Sequence, residues 1–100
     1  MPEALWKRGE RSVAKQLGGK RNPRDGSAAV DVETPRLAVE VKSRVQLPLW
    51  IKRALLSAQE KAQRGQVGIV VLRERGARDA VVICGLNDFR RRIMPMGGER

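Results

Sequence analysis

Apolar positions along this 100-residue chain change their period several times. Trp6, Val13 and Leu17 recur at helical spacing and predict a helix over residues 2–17, stopped by Gly18-Gly19. Two strands are predicted over 28–33 and 37–43, around a short turn at Thr34-Pro35-Arg36. Pro48 opens a second helix over 48–64, with Ile51, Ala54, Leu55, Ala58 and Ala62 on one face and Gly65 at its end. Valine- and isoleucine-rich runs over 67–73 and 80–85 read as two more strands around a charged turn. A short helix over 87–93 and a frayed tail over 95–100 complete the pattern. The order α-β-β-α-β-β-α predicts an α/β fold, with helices flanking a mixed sheet of about four strands. One domain spanning 1–100 is expected, without internal repeats or a linker.

The acidic residues depart from this scheme. Glu10 falls inside the apolar stripe of the first helix, where a carboxylate is costly unless compensated. In the stretch VDVETPRLAVEVKSR, Leu37, Val39 and Val41 share one strand face, and Ala38, Glu40 and Lys42 the other. Val30 and Val32 likewise leave Asp31 and Glu33 opposite them. Pairing the strands through their apolar faces sets Asp31 beside Glu40 and Lys42. Neighbouring carboxylates repel unless a cation separates them, and a hard divalent ion such as magnesium suits oxygen ligands. Glu10 could add a third carboxylate at the same edge. Lys42 would then orient the attacking water or stabilise charge developing on phosphorus. The blander reading is a solvated sheet face with alternating charges. On that reading Glu10 is a helix glutamate bonded to Arg11 or Lys42.

Charge narrows the partner. The net charge is +10, and fifteen of the twenty-one basic residues are arginine. Guanidinium groups match phosphate oxygens in a bidentate way, so nucleic acid fits better than a membrane surface. Three aromatic residues are too few for a base-stacking platform, which leaves backbone and shape recognition. The absence of histidine excludes histidine triads and histidine–zinc sites, and the absence of tyrosine excludes attack on DNA through a phenol. Cys84, the single cysteine, lies in an apolar run and reads as an inert thiol. No Walker loop is present, no apolar run reaches the roughly 20 residues of a membrane span, and the N-terminus lacks a signal-peptide core. A cytoplasmic location is expected.

Asp31 followed by Glu40-Val41-Lys42 resembles the PD-(D/E)xK nuclease signature, with Val30 where the motif has proline. The flanking EVKSR, and GERSVAKQLGGKR with Glu10 in the first helix, closely resemble archaeal-type Holliday junction resolvases. The likeness covers about residues 5–85 and implies a restriction endonuclease-like core. It further implies metal ligation by Glu10, Asp31, Glu40 and the Val41 carbonyl, with Lys42 assisting the water. Magnesium is the implied cofactor, with manganese able to substitute. Such resolvases are homodimers that nick four-way DNA junctions symmetrically, which suits a thin core and a high charge.

Lys20, Arg21, Arg24, Ser27 and Arg44 surround the supposed site and are candidate DNA contacts. Each arginine reads equally well as a solvated residue, and Ser27 as a turn residue. The loop before Asp31 is short, so Ser27 need not match the family's loop serine. Gln59 lies on the flank of the second helix, where related nucleases carry a supporting polar residue. Trp6 and Trp50 read as core or dimer-interface anchors, and Arg90-Arg91-Arg92 as a solvated helix end. A junction resolvase is therefore expected. Its rivals are another nuclease with the same core, and a basic nucleic-acid-binding protein without chemistry.

Overall fold

A computed structural model describes residues 5–22 and 30–95, with side chains described from residue 7 onward. The fold is α/β, with small antiparallel sheets and three α-helices among the described residues. The chain divides into two compact units, residues 1–45 and 46–100. Among the described residues, no helix is long and apolar enough to cross a membrane.

The first unit contains α1 (Leu5–Leu17), β1 (Lys20–Arg21), β2 (Val32–Thr34) and β3 (Leu37–Val39). α1 ends where the sequence requires. Gly18 takes a φ of 67°, the Gly19 N–H donates to the Ala14 carbonyl at 2.8 Å, and the Gly18 N–H donates to that of Lys15 at 3.4 Å. The three strands form an antiparallel sheet in the order β1-β2-β3. Arg21 lies opposite Val32, and Val32 opposite Val39. Directly opposed residues share a sheet face, so Arg21, Val32 and Val39 all face one way. Val32 is fully buried on that face, and Ala14 and Leu17 of α1 are buried with it. The side chain of Trp6 lies outside those described. Thr34 organises the β2–β3 turn, its Oγ1 accepting the N–H groups of Arg36 and Leu37.

The second unit contains α2 (Leu49–Lys61), β4 (Val70–Arg73), β5 (Ala80–Ile83) and α3 (Leu86–Asp88), which runs directly into a π-helical turn, Phe89–Ile93. Ile51, Ala54, Leu55, Ala58 and Ala62 are the half-buried apolar residues of the expected α2 face, whereas Trp50 and Leu56 are exposed. β4 and β5 form an antiparallel hairpin with Val71 opposite Val82. Ile69, Val71 and Val82 are exposed, so one face of this hairpin has apolar side chains in solvent.

Where one mixed sheet is expected, the described strands instead pair as two antiparallel sheets, one in each unit. β3 is three residues long rather than seven, because the N–H of Val41 donates to the Asp31 carboxylate instead of to a neighbouring strand. The turn-rich stretch KRNPRDGS, residues 20–27, is expected as a basic loop, but Lys20-Arg21 is a strand because β2 supplies its ladder. Residues 23–29, which include the start of the strand expected over 28–33, lie outside the described residues.

Gly68 is buried against α2. A Cβ there would stand 2.6 Å from the Ala58 carbonyl carbon and 2.6 Å from the Gln59 nitrogen. Those atoms belong to helix backbone and cannot swing aside. Gly68→Ala is therefore expected to destabilise the second unit by about 1–3 kcal/mol, as overpacking does, read as a lower urea midpoint. An unchanged midpoint would show that the segment after Gly65 can lift off α2 freely.

Candidate active site

Glu10 projects from the middle of α1 and is only 1% exposed. Its Oε1 accepts a hydrogen bond from Arg21 Nε at 2.8 Å, which is also an ion pair. The pairing follows from the register, since Arg21 shares the face of Val32 that is covered by α1. A guanidinium thus compensates the buried carboxylate that the apolar stripe made conspicuous.

Asp31 sits just before β2 and is 9% exposed. Its carbonyl accepts the Asn22 N–H at 2.9 Å, and its Oδ2 accepts the Val41 N–H at 2.8 Å. The side chain therefore reaches the middle residue of Glu40-Val41-Lys42. The β2–β3 ladder ends at the pair Val32–Val39, one residue short of Asp31 and Glu40. Asp31 itself lies in a bend outside the ladder and is buried, whereas Glu40 is exposed.

From Leu37 to Arg44 exposure alternates without a break. Leu37, Val39, Val41 and Ser43 are half-buried, while Ala38, Glu40, Lys42 and Arg44 are exposed. Gly9 of α1 allows close approach to the inner side of this segment, where a Cβ would meet the Ser43 hydroxyl and come within 3.7 Å of Val41 Cγ1. Glu40 and Lys42 consequently face away from α1. Lys20 and Glu33, directly opposed across β1 and β2, are exposed on that outer face.

The Asp31 carboxylate is thus tied to the backbone between the exposed Glu40 and Lys42, and Glu10 lies on the helix-covered side. Among the described residues no group of three acidic, histidine or cysteine side chains closes around a common point. Asp31 and Glu40 suit a two-carboxylate site, since magnesium commonly takes one or two carboxylates and completes its shell with water and phosphate oxygens. Arg21, expected as a phosphate contact, is engaged with Glu10. Lys20 and Arg44 are exposed. Arg24 and Ser27 lie outside the described residues.

Sequence reasoning missed Asn22. Its Nδ2 donates to the Val30 carbonyl at 2.8 Å and to Glu33 Oε1 at 3.2 Å, which ties down the approach to Asp31. An asparagine beside a turn-rich basic loop carries no signal of that role, because its partners come from a strand eight or more residues away.

Cys84 lies in the second unit and is half-buried. Burial pushes its thiol up from the ordinary value, and the Asp88 carboxylate adds to the shift. A raised pKa leaves less thiolate at neutral pH, so iodoacetamide should alkylate Cys84 more slowly than free cysteine at pH 8. The rate should catch up only as pH climbs above the usual thiol range. Faster alkylation than free cysteine at pH 7 would contradict this, and mass spectrometry reads either result.

No family model, curated protein or solved structure matches this chain. The functional reading therefore rests on the residues and their geometry.

Proposed function

We propose that the chain is a metal-dependent endodeoxyribonuclease with a restriction endonuclease-like core, and specifically a Holliday junction resolvase acting as a homodimer. The observation that carries this reading is the hydrogen bond from the Val41 N–H, at the centre of Glu40-Val41-Lys42, to the buried Asp31 carboxylate. Glu10 is likewise buried, on the adjoining helix, where it pairs with Arg21.

Asp31 and Glu40 would hold magnesium or manganese, with Glu10 and the Val41 carbonyl as further donors if Arg21 yields the Glu10 carboxylate. The ion, when bound, supplies Lewis acidity to the phosphate and acidifies a water. The exposed Lys42 ammonium can orient that water and stabilise negative charge gathering on the non-bridging phosphate oxygens. Water oxygen bonds to phosphorus and gives up a proton to solvent as the bridging P–O bond opposite it breaks, and the leaving oxygen takes a proton from solvent. Lys20 and Arg44, both exposed, are suited to phosphates flanking the cut. The exposed apolar face of the β4–β5 hairpin and the small core are consistent with a second copy burying further surface.

A four-way junction and a matched linear duplex, end-labelled and incubated with magnesium, test the proposal. Paired symmetric nicks in the junction alone are expected. Cutting of both substrates would leave a general nuclease of the same core. A second reading, a basic binding protein without chemistry, has the Glu10–Arg21 pair in its favour, since that pair satisfies the acid without any metal. Salt-sensitive binding of the junction with no nick under magnesium or manganese would establish it.

A further inference from the structure

The second unit contains a pocket of about 330 Å3 that includes none of Glu10, Asp31, Glu40 or Lys42. Gln59 at the end of α2, Gln63 and Arg64 just beyond it, and Asp88 and Arg92 from the C-terminal helical segment all line it. Gly68, packed closely on α2, lines it as well.

Three features point to a ligand carrying both an anion and hydrogen-bond donors. First, two arginines from separate elements, Arg64 and Arg92, line the same pocket, and among the described residues neither has an acidic partner. Second, Asp88 and Arg92 stand four residues apart and line the same pocket without pairing. Third, Arg92 lies on the π-helical turn, which the Met94 N–H closes by donating to the Phe89 carbonyl at 2.8 Å. π-helical turns are rare and occur frequently at functional sites.

We propose that this pocket binds a nucleoside phosphate. Arg64 and Arg92 take the phosphate, for which their planar forks are suited. Asp88 accepts from an amino, imino or sugar hydroxyl group of the nucleoside, and Gln59 can donate or accept beside it. A lone inorganic anion would meet only repulsion from Asp88, which is why the nucleoside is part of the assignment. The pocket volume is at the lower end of small-molecule sites, roughly 300–1,000 Å3. The proposal does not depend on the nuclease reading, because the pocket lies wholly within the other unit.

Calorimetric titration of the full chain with deoxyguanosine monophosphate, in 150 mM salt, tests it directly. Saturable one-site binding is expected, weakened by roughly tenfold or more in Arg92→Ala and in Arg64→Ala, as for a lost charged hydrogen bond. Arg73→Ala, an exposed arginine of β4 outside the pocket, should bind as wild type does. Circular dichroism melts would confirm that the variants fold. A short single-stranded oligonucleotide serves as competitor. If it displaces the nucleotide and loses the same factor in Arg92→Ala, the pocket takes a nucleotide within a strand. If it does not compete, the pocket takes free nucleotide. Equal weakening by Arg73→Ala and Arg92→Ala, inorganic phosphate binding as tightly as the nucleotide, or no saturable binding up to 5 mM would each overturn the assignment.

Discussion

Asp31→Asn is expected to reduce junction cleavage by on the order of 10^3-fold, the equivalent of several kcal/mol of lost charge stabilisation. It should leave the fold nearly intact. Asparagine keeps an amide oxygen where Oδ2 now accepts the Val41 N–H, so that bond can persist. Asp31→Ala differs in an instructive way, because it also strands the N–H of the half-buried Val41. A loss of about 1–3 kcal/mol in unfolding free energy should accompany its loss of activity. The pair of variants separates chemistry from architecture. Cleavage by Asp31→Asn at the wild-type rate would remove Asp31 from the reaction altogether.

The largest stability effect should come from Arg21→Ala. It removes the cation 2.8 Å from a carboxylate that is 1% exposed. Breaking such a pair costs about 3–5 kcal/mol, and the lower end applies because Arg21 remains 23% exposed. Urea unfolding should show the loss directly. Glu10→Gln should be milder, since its amide oxygen can still accept from Arg21. Replacing both residues with methionine should recover much of the stability, because burying the pair also requires stripping water from both charges. If Arg21→Ala melts like wild type, the pair contributes no net stability and the compensation argument fails. Stability restored to Arg21→Ala by millimolar magnesium would indicate that an ion can stand in for the guanidinium beside Glu10.

Much of this was legible in the sequence wherever a local pattern carries the information. Gly18-Gly19 ends α1 through backbone geometry that glycine makes easy, and the alternation from Leu37 to Arg44 survives in the exposures residue by residue. The half-buried face of α2 follows its spacing in the same way. Other features depend on partners distant in sequence. Lys20-Arg21 has no apolar pattern of its own and becomes a strand only because β2 lies beside it. Arg21 reads as one cation among fifteen arginines until the register turns it toward α1. Gly68 resembles any loop glycine until α2 backbone approaches the space where its Cβ would be. The pairing of Val32 with Val39 needed strand register as well as alternation, and the β2–β3 turn with Thr34 supplies it. Glu10 was conspicuous because an apolar stripe rarely admits a carboxylate, but its partner could not be read from helical spacing. The shortness of β3 has the same origin. A side chain, that of Asp31, takes the Val41 N–H that would otherwise lengthen β3.

The central claim is that Asp31 and Glu40 together hold a divalent ion at the end of the β2–β3 ladder. Its most direct test is a manganese titration followed by electron paramagnetic resonance, with wild type, Asp31→Asn and Glu40→Gln side by side. The account predicts saturable loss of the free-manganese signal with wild type, reversed by magnesium, and a markedly weaker effect with both variants. Equal binding by all three proteins, or none by wild type in the presence of junction DNA, would contradict it.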